Sequence, residues 1–196
     1  MGTDDLQRNF EGYLNTPLLW HNTEVYGLKQ CVLRDSVALL FTEKVPRHLR
    51  LGKLVERFVS HQLIADTTRH ILAENVQIQE GKRTIGELDV IFMATDGPIH
   101  LEIIYKFYLY DPNEGSNELS RWIGPNRKDC LLQKLDKLKI KQLPLLYHPL
   151  TQSMLNDMEI KVHEITQQVL FKAQLFLPLG YQQKVFFSLN PDCVQG

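Results

Sequence analysis

Apolar positions recur at two different periods along this 196-residue chain. Between residues 4 and 20, Leu6, Phe10, Tyr13, Leu14 and Leu18 fall at near-helical intervals, which predicts an amphipathic helix closing around Asn15-Thr16-Pro17. Glu24 to Glu43 has only partial periodicity and reads as short helical or extended segments. Leu51, Leu54, Val55, Phe58, Val59 and Leu63 then line one stripe, predicting a helix over 51–65. After it the period falls to two. Asn75–Gln79, Ile85–Met93 and Ile99–Leu109 are β-rich runs, separated by Glu80-Gly81-Lys82 and by Ala94-Thr95-Asp96-Gly97-Pro98, so a three-strand antiparallel meander is expected.

Beyond Leu109 the pattern loosens. Tyr110 to Trp122 is rich in Pro, Gly, Asn and Ser and is expected to be an irregular loop that could serve as a lid. Gly124-Pro125-Asn126 introduces a helix over 127–143, with Asn126 as its cap and Asp129 in its first turn. Leu131, Leu132, Leu135, Leu138 and Leu143 form its apolar side, and Arg127, Lys134, Lys137 and Lys141 recur on another. Residues 143–147 read as a short strand. A polar connector precedes the run 159–177, which is β-like, with a helix over 162–172 as its rival.

Strand alternation carries the candidate chemistry. Glu87 and Asp89 share one face, as do His100, Glu102, Ile104 and Lys106, and the two acidic faces can meet across the hairpin. Neighbouring carboxylates repel and raise one another's pKa unless a cation or proton lies between them. Oxygen-only donors, Asp89 and Glu102 with Glu87 as a third, suit Mg²⁺ or Mn²⁺ better than Zn²⁺. A nearby lysine adds a cation for phosphate. His100 is a possible ligand or base, with a structural role the better reading.

Overall charge narrows the partners. A formal net charge of −1 lacks the basic excess of a tight nucleic-acid binder, so any such affinity must be local. From Arg121 to Lys141 seven basic residues face two acidic ones; Arg121, Arg127, Lys134, Lys137 and Lys141 are the candidate phosphate contacts, against the alternative of a solvated basic face. Arg121 and Trp122 could also meet a nucleotide, although a packed tryptophan is the better expectation. Cys31, Cys130 and Cys193 show no metal or redox spacing. No apolar run nears the roughly 18 residues of a membrane span, and the acidic start lacks a signal peptide, so a cytoplasmic protein without membrane contact is expected. No GxSxG, Walker A, HExxH or dinucleotide glycine pattern occurs. The sequence leaves the oligomeric state open.

Gly86-Glu87-Leu88-Asp89, a turn, then an apolar strand with Glu102 and Lys106 resembles the core of the PD-(D/E)XK, or restriction-endonuclease-like, nucleases. That superfamily usually continues Glu-any-Lys, whereas here Ile104 stands in the lysine position and Lys106 lies two residues on, about 6.6 Å along the same face. More narrowly, LGKLVERF, GELDVIF, LEIIYKFYL, WIGPNRKDCLLQKL and LNPDCVQG, from about Leu51 to the end, resemble a mainly bacterial family, domain of unknown function number 1853. Members of that family continue past the position of Gly196, so an incomplete final element is expected.

The resemblance implies an α/β restriction-endonuclease-like core over 51–196, in the order helix, three-strand meander, helix, strand, with an N-terminal helical extension over 1–50 packed on it. It implies a metal-dependent, nuclease-like phosphodiesterase acting on DNA or RNA by activated-water hydrolysis. Asp89 and Glu102 would hold Mg²⁺ or Mn²⁺, Glu56 and Glu87 would complete the coordination, and Lys106 would position water or offset developing charge. The displaced lysine and the near-neutral net charge keep open a non-catalytic nucleic-acid or protein interaction module on the same fold, and a protein whose acidic residues only form surface ion pairs.

Overall fold

The period-two segments build the centre of the molecule. In the computed structural model, which describes residues 3–21, 25–34, 40–46, 48–181 and 189–195, β1 (His70–Glu80), β2 (Arg83–Ala94) and β3 (Gly97–Tyr110) form an antiparallel meander. Gly81-Lys82 and Thr95-Asp96 make its two tight turns, with Gly81 at φ +60° where a side chain would be strained. β1 begins at His70 rather than Asn75 because it stays paired along β2 as far as Met93, across a bulge near Ile71.

A fourth long strand, β5 (Thr166–Phe176), runs parallel to β3 over the whole of Ile99–Leu109. The run 159–177 is therefore a strand and not a helix over 162–172, and the polar stretch before it contains a helix instead of a bare connector. Val169, Leu170 and Phe171 are buried in succession, as expected of a strand covered on both faces. Two short strands, β4 (Trp122–Ile123) and β6 (Val194–Gln195), complete a mixed six-stranded sheet in the order β1-β2-β3-β5-β6, with β4 against the end of β3.

Helices cover both faces. On one, α1 (Thr3–Asn15) and α2 (Leu51–Ala65) bury Phe10, Tyr13, Val55, Phe58 and Val59 against Val90, Phe92, Leu101 and Leu170. α1 stops at Asn15, and Leu18–Leu19 run extended beside β5, with the Leu19 N–H bonded to the Phe171 carbonyl at 2.7 Å. Residues 25–34 make a turn and an extended segment, in which the Cys31 N–H meets the Val169 carbonyl at 2.8 Å. Residues 35–39 of the partly periodic stretch lie outside the described residues.

The other face departs from the sequence expectations in three places. Within 110–122 a short helix, α3 (Glu118–Arg121), forms under an Asn117–Ser120 capping box, and β4 follows, so this stretch is not wholly irregular. Trp122 is buried edge-on to Tyr110, with ring centroids 5.0 Å apart, and is a packing residue. The predicted helix over 127–143 starts only at Leu131, as α4 (Leu131–Lys137), because Gly124–Arg127 closes a turn and Arg127 takes φ +53°. Cys130, not Asn126, is its N-cap.

α4 widens into a π-helical turn, Leu138–Gln142, then tightens into a 3₁₀ turn, Leu143–Tyr147, in place of the predicted strand. Pro144 at the start of that turn and the burial of Leu145 and Leu146 against Ile78, Leu88 and Ile91 explain the outcome. α5 (Pro149–Asp157) follows. Cys31, Cys130 and Cys193 are buried free thiols, and no helix among the described residues is long and apolar enough to cross a membrane.

Phe171 joins Trp20, Tyr108 and Leu135 in the core on the α4 side. Phe171→Ala is expected to destabilise the fold by about 3–5 kcal/mol, read as a lowered midpoint in urea unfolding with an unchanged slope.

Candidate metal centre and its cleft

The site exists because β2 and β3 part. Their pairing runs from Ala94–Gly97 to Val90–Leu101 and ends there, and β4 does not join β3 until Leu109. At the point of parting, the Asp89 carboxylate accepts the Ile103 N–H at 2.8 Å, standing in for a lost ladder bond. β2 swings away with β1, and α4 with its π turn takes up the space: Leu135 and Leu138 pack in one core with Ile104 and Tyr108.

Alternation along β2 then sets Glu87 beside Asp89, and α2 brings Glu56 over them. The three carboxylates each offer an oxygen within 4.8 Å of the others. Lys53, one helical turn before Glu56, bonds Glu56 at 2.8 Å, Asn75 at 2.9 Å and also Glu87. Even so, the three acids are not fully compensated. Burial above all, then the Glu102 charge, pushes the Asp89 carboxyl up to about 7 despite its bond from Ile103. Burial likewise raises Glu56, against the pull of Lys53. An oxygen-only donor set with surplus negative charge fits a hard divalent cation.

Glu102 stands next to this set but is committed elsewhere. It is fully buried, with Oε1 3.1 Å from His100 Nε2 and Oε2 accepting from Gln142 Nε2 at 2.5 Å. Gln167 Nε2 donates to the Leu143 carbonyl at 2.6 Å and faces His100 Nδ1 at 3.0 Å, which assigns the ring proton to Nε2, aimed at Glu102. At the other end, Lys134 Nζ donates to Gln142 Oε1 at 2.8 Å. The resulting line is Gln167, His100, Glu102, Gln142, Lys134.

The basic residues separate into distinct surroundings. A cleft of about 460 Å³ is walled on one side by Ile85, Gly86, Glu87 and Asp89 and on the other by Lys137, Lys141, Gln142 and Leu145. Gly86 lets Leu145 approach β2 this closely: a Cβ there would come 2.7 Å from Leu145 Cδ2. Lys137 and Lys141 thus face the acids. Lys106 is instead paired with Asp129 at 3.2 Å, and Arg127 is paired with Asp111 at 3.0 Å and Glu114 at 3.2 Å. Arg121 is half-buried, with its Nε enclosed.

Lys53, Gln142 and Gln167 were not among the sequence candidates. The i,i+3 spacing of Lys53 and Glu56 was a readable signal; the position of Gln142 depends on the π turn, which has no sequence signature here.

The raised Asp89 pKa has a stability consequence with a definite sign. The folded state holds a proton that the unfolded chain has lost above about pH 4, so stability is expected to fall as pH rises from about 4 to 7, by at most about 1.4 kcal/mol per unit. Asp89→Asn keeps an acceptor for the Ile103 N–H and should flatten that fall; thermal melts across pH 4–8 in metal-free buffer would measure it.

No match was found among curated proteins or among solved structures. A family profile described as a domain of unknown function, DUF1853, matches residues 27–196. That span contains α2, the meander, the acidic cluster and both lysines of the cleft, and the chain belongs to the DUF1853 family.

Proposed function

We propose that this chain is a metal-dependent, nuclease-like phosphodiesterase of the PD-(D/E)XK type, acting on DNA or RNA. The observation that carries this reading is the cleft itself: Glu87 and Asp89, which converge with Glu56 of α2, face Lys137 and Lys141 across it. The element order supports it: α2 and the three-strand meander are followed, after α3 and β4, by a run of helical segments that begins with α4 and then by β5.

Glu56, Glu87 and Asp89 would hold Mg²⁺ or Mn²⁺, which when bound would polarise a phosphate and activate water for attack on phosphorus. The chain's own groups do the rest. Lys137 and Lys141 neutralise the backbone of a strand laid in the cleft. Lys53 balances the acids in the free protein and releases Glu56 and Glu87 when they take another cation. Asp89, with a proton affinity near neutrality, gives up that proton on the same occasion. Glu102 stands behind the set, held in place by His100 and Gln142.

One observation favours a second reading. Lys53 already bridges two of the carboxylates and Lys106 is already paired, so the acids have a protein counter-charge and the cleft could serve a non-catalytic nucleic-acid-binding module.

The discriminating assay is cleavage of single- and double-stranded DNA and RNA with and without Mg²⁺ or Mn²⁺, alongside thermal melts. The nuclease reading expects metal-dependent cleavage, a metal-dependent rise in Tm, and a loss of roughly 100-fold or more in Asp89→Asn. Wild-type protein that binds nucleic acid but shows neither cleavage nor a metal-dependent Tm shift would establish the second reading instead. Charge reversal at Lys137 and Lys141 should weaken nucleic-acid binding and lower its salt slope by about 1 per lost contact; an unchanged slope would remove both lysines from the interface.

A further inference from the structure

Lys134 is partly buried and has no counter-ion among the described residues. Its ammonium has one acceptor among the described residues, the neutral amide oxygen of Gln142, and no carboxylate within ion-pair distance. The remaining N–H groups are left for another acceptor. A cation half-enclosed in this way is unfavourable unless an anion comes to it. Glu102 and Asp89 are the negative charges it senses, while Lys106, on the strand where the sequence pattern looked for the lysine, has its ammonium taken by Asp129.

We propose that Lys134, and not Lys106, is the cation that meets the phosphodiester brought against Asp89, with Gln142 as the residue that positions it. This rests on the nuclease-type reading above and changes which element supplies the lysine: α4, through the π turn that carries Gln142 to Glu102, instead of β3. Two further observations agree. Burial, then the Lys137 charge, draws the Lys134 ammonium down to about 8, as fits a cation short of anions. The amide of Gln142 is oriented by two charged groups of opposite sign, so it holds Lys134 at a set distance from Glu102 without letting the pair close.

The test compares Lys134→Met, Lys134→Arg and Lys106→Met in single-turnover cleavage with Mn²⁺, together with the Mn²⁺-dependent Tm shift of each. Lys134→Met should lose roughly 100-fold in rate with its Mn²⁺ shift retained, Lys134→Arg should recover part of it, and Lys106→Met should stay near wild type. Loss in Lys106→Met with Lys134→Met active overturns the inference and leaves the nuclease reading intact.

A second readout needs no variant and no turnover: ¹⁵N-lysine spectra of the wild-type protein titrated with a non-cleavable phosphorothioate dinucleotide in Ca²⁺. A saturable shift of the Lys134 ammonium with Lys106 unmoved supports the inference even if cleavage is absent. No shift at Lys134 overturns it. Absence of both cleavage and any Mn²⁺-dependent Tm shift would count against the nuclease reading separately.

Discussion

The structure depends on one hydrogen bond made at the point where two strands separate. The Asp89 side chain takes the Ile103 N–H that a continued β2–β3 ladder would have used. A buried amide left without a partner is destabilising by about 1–3 kcal/mol, so this bond allows the strands to part without that penalty. It also draws a carboxylate into the sheet, next to Glu102 and under α2. The opening of the sheet, the burial of the acid and the entry of the α4 segment into the gap are three consequences of the same local event.

Once Asp89 is drawn in, charge decides the rest of the arrangement. Two carboxylates within 4.8 Å repel by about 3–4 kcal/mol at an effective dielectric near 20, far more than a surface ion pair returns. The fold answers with Lys53 on the open side of the cluster and with a proton held by Asp89 up to about pH 7. Glu102, fully buried where Asp89 is only partly so, is answered differently, by the His100 and Gln142 donors. The two acids of the β2–β3 pair therefore have unlike roles: Asp89 belongs to the set that can exchange its cation, and Glu102 to a fixed polar line.

The helix after the meander departs from regular geometry. Leu131, Leu135 and Leu138 pack in one core with Ile104 and Tyr108, Gln142 reaches Glu102, and Leu145 and Leu146 enter the core with Ile78, Leu88 and Ile91. The π turn and the 3₁₀ turn that follows carry the last two of these contacts. Lys137 and Lys141 are left on the cleft side, and Lys134 points inward. One segment thus presents lysines both to the cleft and to the buried network.

The sequence by itself determined the helix over 51–65, the three-strand meander, both turns and the placing of Glu87 and Asp89 on one face, because period, turn chemistry and strand parity are local properties of the chain. The family was legible only as a resemblance of sequence blocks, not from these local patterns. Only the tertiary structure decided that Glu56 and Lys53 close over those acids, that Lys106 pairs with Asp129 and Arg127 with Asp111, and that the chain from 131 to 147 passes through three helical geometries. Each of these is settled by a partner distant in sequence: a carboxylate whose charge must be balanced, or an apolar face whose burial outweighs the weak local preference for helix or strand.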